Sequence, residues 1–181
     1  MVAKIPTLFS EPIVECLNPT PLFYSLPDEN FQSSSDYTSR TFHGPHLSRL
    51  FSVSGTESHD SWVPEVNEVG QWIEADLGQI ERVQKVEVRP RITAENWVAS
   101  FKLRFSLDRQ SIGYILAPNG EERIFGGPTT STDYVMVTLN ATDARYVRLY
   151  PLTYVVYMAV KWEVYACKEL GKLTNKLTSL N

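Results

Sequence analysis

In WVASFKLRFS, residues 97–106, the apolar Phe101, Leu103 and Phe105 alternate with Ser100, Lys102, Arg104 and Ser106. Successive side chains of an extended chain point to opposite faces, so this pattern reads as an antiparallel strand with one face in a core and the other toward water. The same signature recurs in WIEADL (72–77), VQKVEVRP (83–90), DYVMVTL (133–139), ARYVRLYPL (144–152) and VVYMAVKWEVYAC (155–167). All are rich in β-branched and aromatic residues and are separated by turn formers. QWIEADLGQIERVQKVEVRP (71–90) reads as two strands around a tight turn, with Gly78 supplying it. No segment of helical period has convincing length before Cys167, which leaves an all-β sandwich or barrel.

Upstream, from Cys16 to Gly70, the chain is rich in Ser, Pro, Asp, Asn and Thr around short apolar pieces. It reads as long loops joining short strands. The 181 residues, 43% of them hydrophobic, can bury one sizeable core, so one domain with short extensions is expected. The 17 Lys and Arg are scattered and the net charge is −4, which argues against nucleic acid as a partner. No apolar run approaches a membrane span. Pro6, Glu11 and Pro12 interrupt the first residues where a secretory leader needs an unbroken apolar core, so no signal peptide is read there. Cys16 and Cys167 are too far apart in sequence for a CxxC motif and read as either a bridge or two buried thiols. The tail, KELGKLTNKLTSLN (168–181), spaces Leu170, Leu173, Leu177 and Leu180 as a short helical seam that would join protomers in a homo-oligomer. Fewer than two heptads and Gly171 make that helix marginal, and a frayed or docked tail is the alternative.

An ordered set of segments resembles the discoidin family, also called the coagulation factor V/VIII type C domain. The set is Cys16 at the start, SWVPEVNEVGQWIEADLG (61–78), NWVASFKLRFSLD (96–108), ARYVRLYPL (144–152) and the close formed by Glu163, Tyr165 and Cys167. The resemblance covers residues 16–167, leaving residues 1–15 as an extension and 168–181 as the tail. It implies an eight-stranded antiparallel jelly roll, a Cys16–Cys167 disulfide and an extracellular setting, secreted or at the cell surface. In the chain-entropy picture such a long closure stabilises by up to about 5 kcal/mol. Trp72, Ile73, Leu77 and Trp162 are expected in the core, and Asp76 as a buried anion paired with Arg145 or Arg148, since an unpaired buried carboxylate is costly.

Members of this family are mostly binding modules that use loops at one end of the barrel. Three segments are expected to converge there: 23–34 as a projecting spike, 55–62 and 89–97. A sugar site needs planar donors and acceptors for neighbouring hydroxyls and an apolar face for the ring. Glu57, His59 and Asp60 in one loop, with Arg91 and Glu95 in another, supply the polar half. The resemblance places Arg91 at the sugar site of discoidin lectins, ahead of Trp97-Val98. It also sets Trp62 beside the binding loops and Tyr154 at the aromatic place that follows the penultimate strand's Pro-Leu.

The leading expectation is therefore a non-catalytic, galactose-type lectin or adhesion module with glycans as partners. The alternative is an extracellular module for phospholipid or protein. A membrane-binding member would present apolar residues from the first spike, and Leu26 and Phe31 are available, but Asp28 beside them has the wrong sign for anionic headgroups. Catalysis has no support: His43, His46 and His59 lack metal-ligand spacing, and no nucleophile elbow or phosphate loop occurs. No cofactor is expected. A structural calcium ion stays open, because members of the fold hold it through backbone carbonyls that leave no sequence signature.

Overall fold

The computed structural model describes residues 18–52, 55, 59–111 and 113–167. Among these are eight strands: β1 (Thr20–Pro21), β2 (Phe31–Ser33), β3 (Ile73–Arg89), β4 (Trp97–Ser106), β5 (Gly113–Tyr114), β6 (Phe125–Gly126), β7 (Val135–Val155) and β8 (Lys161–Cys167). They pair antiparallel in the order β1-β8-β3-β7-β4-β5, with β2 on β3 and β6 on β4. One short helix, α1 (Arg40–His43), is capped by the Ser39 hydroxyl, which accepts from the Phe42 amide.

Strands β3 and β7 each serve two layers. The first part of β3 pairs with β2 and with the second half of β7, which in turn pairs with β4. The second part of β3 pairs with β8 and with the first half of β7. Residues 71–90 are thus not two strands around a turn. They form one strand that bends where the register shifts between Asp76 and Glu81. Gly78, at φ +80°, sits in that bend, a conformation that an L side chain adopts only with strain. A second register shift between Val83 and Lys85 changes which parity faces inward, so Ile73, Ala75, Leu77 and Val83 are core residues before it and Val86 and Val88 after it.

In β4 the alternation holds, with Phe101, Leu103 and Phe105 buried against Val147 and Leu149 of β7. Truncating one of these large side chains costs about 3–5 kcal/mol in a close-packed core. Trp162 is wholly buried as expected, but Trp72 is not: it is half-buried under Arg148, whose guanidinium carbon lies 3.9 Å from the ring centroid. The cause is parity, since Ile73 and Ala75 already take the inward positions. On that outer face Asp76 pairs with Arg145 through two bonds of 2.9 and 3.1 Å, while Arg148 goes to Glu74. Asp76 is partly exposed, and the fully covered anion is its neighbour Glu74, held by both Arg109 and Arg148.

Cys167 is buried at the end of β8. Its expected partner Cys16, the residue 1–15 extension and the tail leucines lie outside the described residues.

Candidate functional site

At the end of the sandwich where β3 stops and β4 begins, three connections meet. Trp62 and Val160 exchange backbone hydrogen bonds, tying residues 59–62 to the β7–β8 connection. The Val98 amide donates to the Ala159 carbonyl, tying in β4. The 91–96 loop closes on itself through Arg91 N–H to the Asn96 carbonyl at 3.0 Å.

Asp60 organises this rim from below. Its carboxylate is buried and accepts from the Ile92 amide and the Thr93 hydroxyl, both at 2.8 Å, and more distantly from Arg91 Nε at 3.4 Å. Burial alone would raise its pKa, but the Thr93 and Ile92 hydrogen bonds and the Lys161 charge outweigh burial and hold it below the usual carboxylate range. Lys161, wholly buried, donates to the carbonyls of Ser52 and Asp60 at 2.7 Å each. Burial pulls its pKa down to about 8, against the attraction of Asp60.

Arg91 is fixed rather than free. Its Nε donates to Thr93 and its Nη2 to His59 Nδ1 at 2.7 Å. A guanidinium only donates, so Nδ1 of His59 accepts and Nε2–H is left as the ring's donor. The His59 ring stacks on His43 at 4.3 Å. His43 is held to a pKa of about 4 by burial first, with the nearby Arg91 charge adding to it, so an uncharged imidazole backs His59. The rim therefore holds a planar cationic donor, its side chain 12% exposed, and an imidazole, both anchored by the protein itself. Anchoring reduces the ordering cost of binding.

Of the residues expected from sequence, the fold brings His59, Asp60 and Arg91 together. Asp60, at 1% exposure, is a positioning residue and not a ligand contact. Glu95 is exposed on the 91–96 loop beside them. Trp62 is also no ligand contact: it is wholly buried, with Nε1 donating to the Ser35 carbonyl. Tyr154, 38% exposed, donates to the Asn67 carbonyl, and Asn67 Oδ1 accepts from Met158, which braces the β7–β8 connection. That connection carries exposed Val156 and Tyr157. Glu57 lies outside the described residues.

The 23–34 spike is corrected most. Phe31 is wholly buried, edge-on to Phe23, and Leu26 packs against the core. Arg40 and Arg49 donate to the carbonyls of Phe31 and Leu26, clamping the segment onto residues 40–49. Asp28 is exposed and paired with Arg49 at 2.7 Å. Thr93, His43, Lys161 and Asn67 were not singled out from sequence as site residues, because an isolated polar residue in a loop carries no mark of what will fold against it. Among the described residues no three His, Cys, Asp or Glu side chains are grouped to hold a metal ion.

Together the bent antiparallel sheet and its anchored polar loops define a β-sandwich with a polar rim at one end. The chain belongs to the F5/8 type C domain family, whose match covers residues 30–167. It is 30% identical over 143 residues to discoidin-2 of Dictyostelium discoideum, covering 76% of this chain and 53% of that protein. The solved recombinant discoidin II of the same organism superposes with a TM-score of 0.67 at 26% identity, over 77% of this chain and 55% of that one. Hemocytin of Bombyx mori is 28% identical over 145 residues, 80% of this chain but 5% of that protein. The chain thus spans about half of discoidin-2 and a small part of hemocytin. A Clostridium perfringens domain solved in complex with GalNAc-β-1,3-galactose shares the fold, with a TM-score of 0.60 at 22% identity over 81% of this chain and 100% of that one.

Proposed function

We propose that this domain is a non-catalytic carbohydrate-binding module of the galactose type, acting in an extracellular lectin or adhesion protein. The observation that carries the reading is the anchored Arg91: Thr93 and His59 fix its guanidinium beside the buried Asp60 at the loop rim. A planar donor fixed in this way can bridge two neighbouring sugar hydroxyls, which an unanchored arginine would have to be ordered to do. Glu95 supplies an acceptor, and Tyr157 and Val156 supply apolar surface for the C–H side of a ring. The Clostridium perfringens domain of the same fold, solved with a GalNAc-β-1,3-galactose ligand, supports the ligand class.

The phospholipid alternative does not run through Leu26 and Phe31, which pack against the core. A Cys16–Cys167 bridge is part of the reading, as is self-association through the tail, because single sugar sites are weak and avidity multiplies them. A glycan array followed by calorimetry tests the function. The wild type is expected to bind galactose-terminated glycans, Arg91→Ala to abolish the binding, and Arg91→Lys to weaken it because a point charge cannot reproduce the planar fork. A wild type that binds no sugar, or an unchanged profile for Arg91→Ala, sinks the assignment.

A further inference from the structure

We propose that the hollow between the Phe23–Ser25 turn and residues 49–52 is a second saccharide site, taking one uncharged pyranose ring. Tyr24, Leu26, Asp28, Arg49, Phe51 and Ser52 line it, around a volume of about 340 Å³. That lies at the lower end of the range for small-molecule sites. It shares no side chain with the Arg91 rim and stands independently of that reading.

Two large aromatic side chains face water at its edge. Tyr24 is 80% exposed and Phe51 64%, with their rings edge-to-face at 6.1 Å. Their exposure is held in place from inside. The neighbours Leu22 and Phe23 are buried, and their amides donate to Glu163 Oε1 at 3.1 and 2.8 Å, which fixes the turn that carries Tyr24. Phe51 follows Leu50, also buried, and the Ser52 amide closes back on the Arg49 carbonyl. Rigid aromatic faces of this kind present flat apolar surface at low entropic cost, which suits the C–H face of a sugar ring.

The polar half is a carboxylate already oriented. Arg49 donates to Asp28 Oδ1 at 2.7 Å and to the carbonyls of His46 and Leu26, with its guanidinium over the Phe31 ring. Among the described residues Asp28 Oδ2 receives no hydrogen bond and is open to accept from two neighbouring hydroxyls. Burial is the largest single influence on Asp28 and raises its pKa, but the Arg49 hydrogen bond and the Arg49, His46 and Arg40 charges together outweigh it and hold the carboxyl below its usual value. The Asp28 and Arg49 charges cancel, so the lining carries no net charge, and with Arg49 committed to Asp28 and to two carbonyls it leaves no free cation for an anionic glycan or lipid headgroup. The two sites are physically joined through Lys161, whose ammonium holds the carbonyl of Ser52 at one and of Asp60 at the other.

The test is an NMR titration of the ¹⁵N-labelled full chain with the methyl pyranosides of galactose, glucose, mannose, N-acetylgalactosamine and N-acetylglucosamine, and with N-acetylneuraminic acid. Amides of Tyr24, Leu26 and Ser52 report on this hollow, and those of Ile92 and Thr93 report separately on the Arg91 rim. A saturable shift of the first set with a neutral glycoside is expected, lost in Tyr24→Ala, Phe51→Ala and Asp28→Asn while the rest of each spectrum is unchanged. The proposal is overturned by no shift in that set with any neutral glycoside, by shifts that persist in the aromatic variants, or by a response to N-acetylneuraminic acid alone. It is equally overturned if phosphatidylcholine–phosphatidylserine vesicles bind through Tyr24 and Phe51 and no sugar does.

Discussion

Replacing Glu163 by Gln should change the pH dependence of stability more than stability itself. Glu163 is wholly buried in β8, and its Oε1 accepts from three amides, those of Leu22, Phe23 and Val164, at 2.8 to 3.1 Å. Its Oε2 is buried with no partner among the described residues. Burial first, with the repulsion of Glu87, raises its pKa from 4.5 to about 7, against the three amide bonds that favour the anion. The folded state therefore holds this proton more tightly than the unfolded chain. The stability it contributes is full below pH 4.5 and is lost as pH rises through about 7. Moving the proton's affinity from 4.5 to about 7 corresponds to about 3 kcal/mol at most.

Gln cannot ionise, so this loss disappears in Glu163→Gln. The new amide meets the same unpartnered pocket that Oε2 occupies, at a cost of about 1–2 kcal/mol that does not depend on pH. His43 acts in the opposite sense, since its pKa is lowered to about 4 and its contribution is lost as pH falls from 6.5 toward that value. The difference between wild type and variant cancels that effect. Urea unfolding at about pH 5 and about pH 8 should show the variant gaining on the wild type by up to about 3 kcal/mol between the two. An offset that is equal at both pH values would refute a near-neutral pKa for Glu163.

Other outcomes follow from contacts at single residues. Asp60→Ala should destabilise by about 2–4 kcal/mol, because the Ile92 amide and Thr93 hydroxyl lose a buried acceptor and Lys161 loses its counter-charge, and sugar binding should fall with it; chemical unfolding and calorimetry check both. Gly127→Ala should cost about 2–4 kcal/mol, since a Cβ there would sit 2.1 Å from the Val98 carbonyl oxygen, while Gly126→Ala, with nothing within 4 Å, should be tolerated at under about 1 kcal/mol. Reduction of the protein should raise its mass by two hydrogens and lower its thermal midpoint, as opening a Cys16–Cys167 bridge requires.

Much of the scaffold is legible in the sequence, and the reasons are local. The alternation in 97–106 survives folding because β4 pairs regularly with β7 from Phe101 to Ser106. That Asp76 pairs with Arg145 or Arg148 was foreseeable because a carboxylate taken out of water needs a cation, but which of the two it takes was settled only by the fold. Alternation misleads where the ladder slips: register shifts near Gly78 and Val83 join two expected strands into one. The site was partly legible, since His59, Asp60 and Arg91 could be expected to meet once two loops were placed at the same rim.

Taken alone, the sequence determined an all-β antiparallel domain, its family and the loop that carries Arg91, because strand periodicity and the order of segments are properties of the chain itself. Only the tertiary structure decided which polar residue lies at the rim and which beneath it, and which aromatic is core. Phe31 is buried because residues 40–49 fold over it, while Tyr24 meets Phe51 at its edge and stays exposed, and Asp60 is inaccessible because the 91–93 loop closes on it. Burial depends on what packs on top of a residue, and that partner comes from a distant part of the chain.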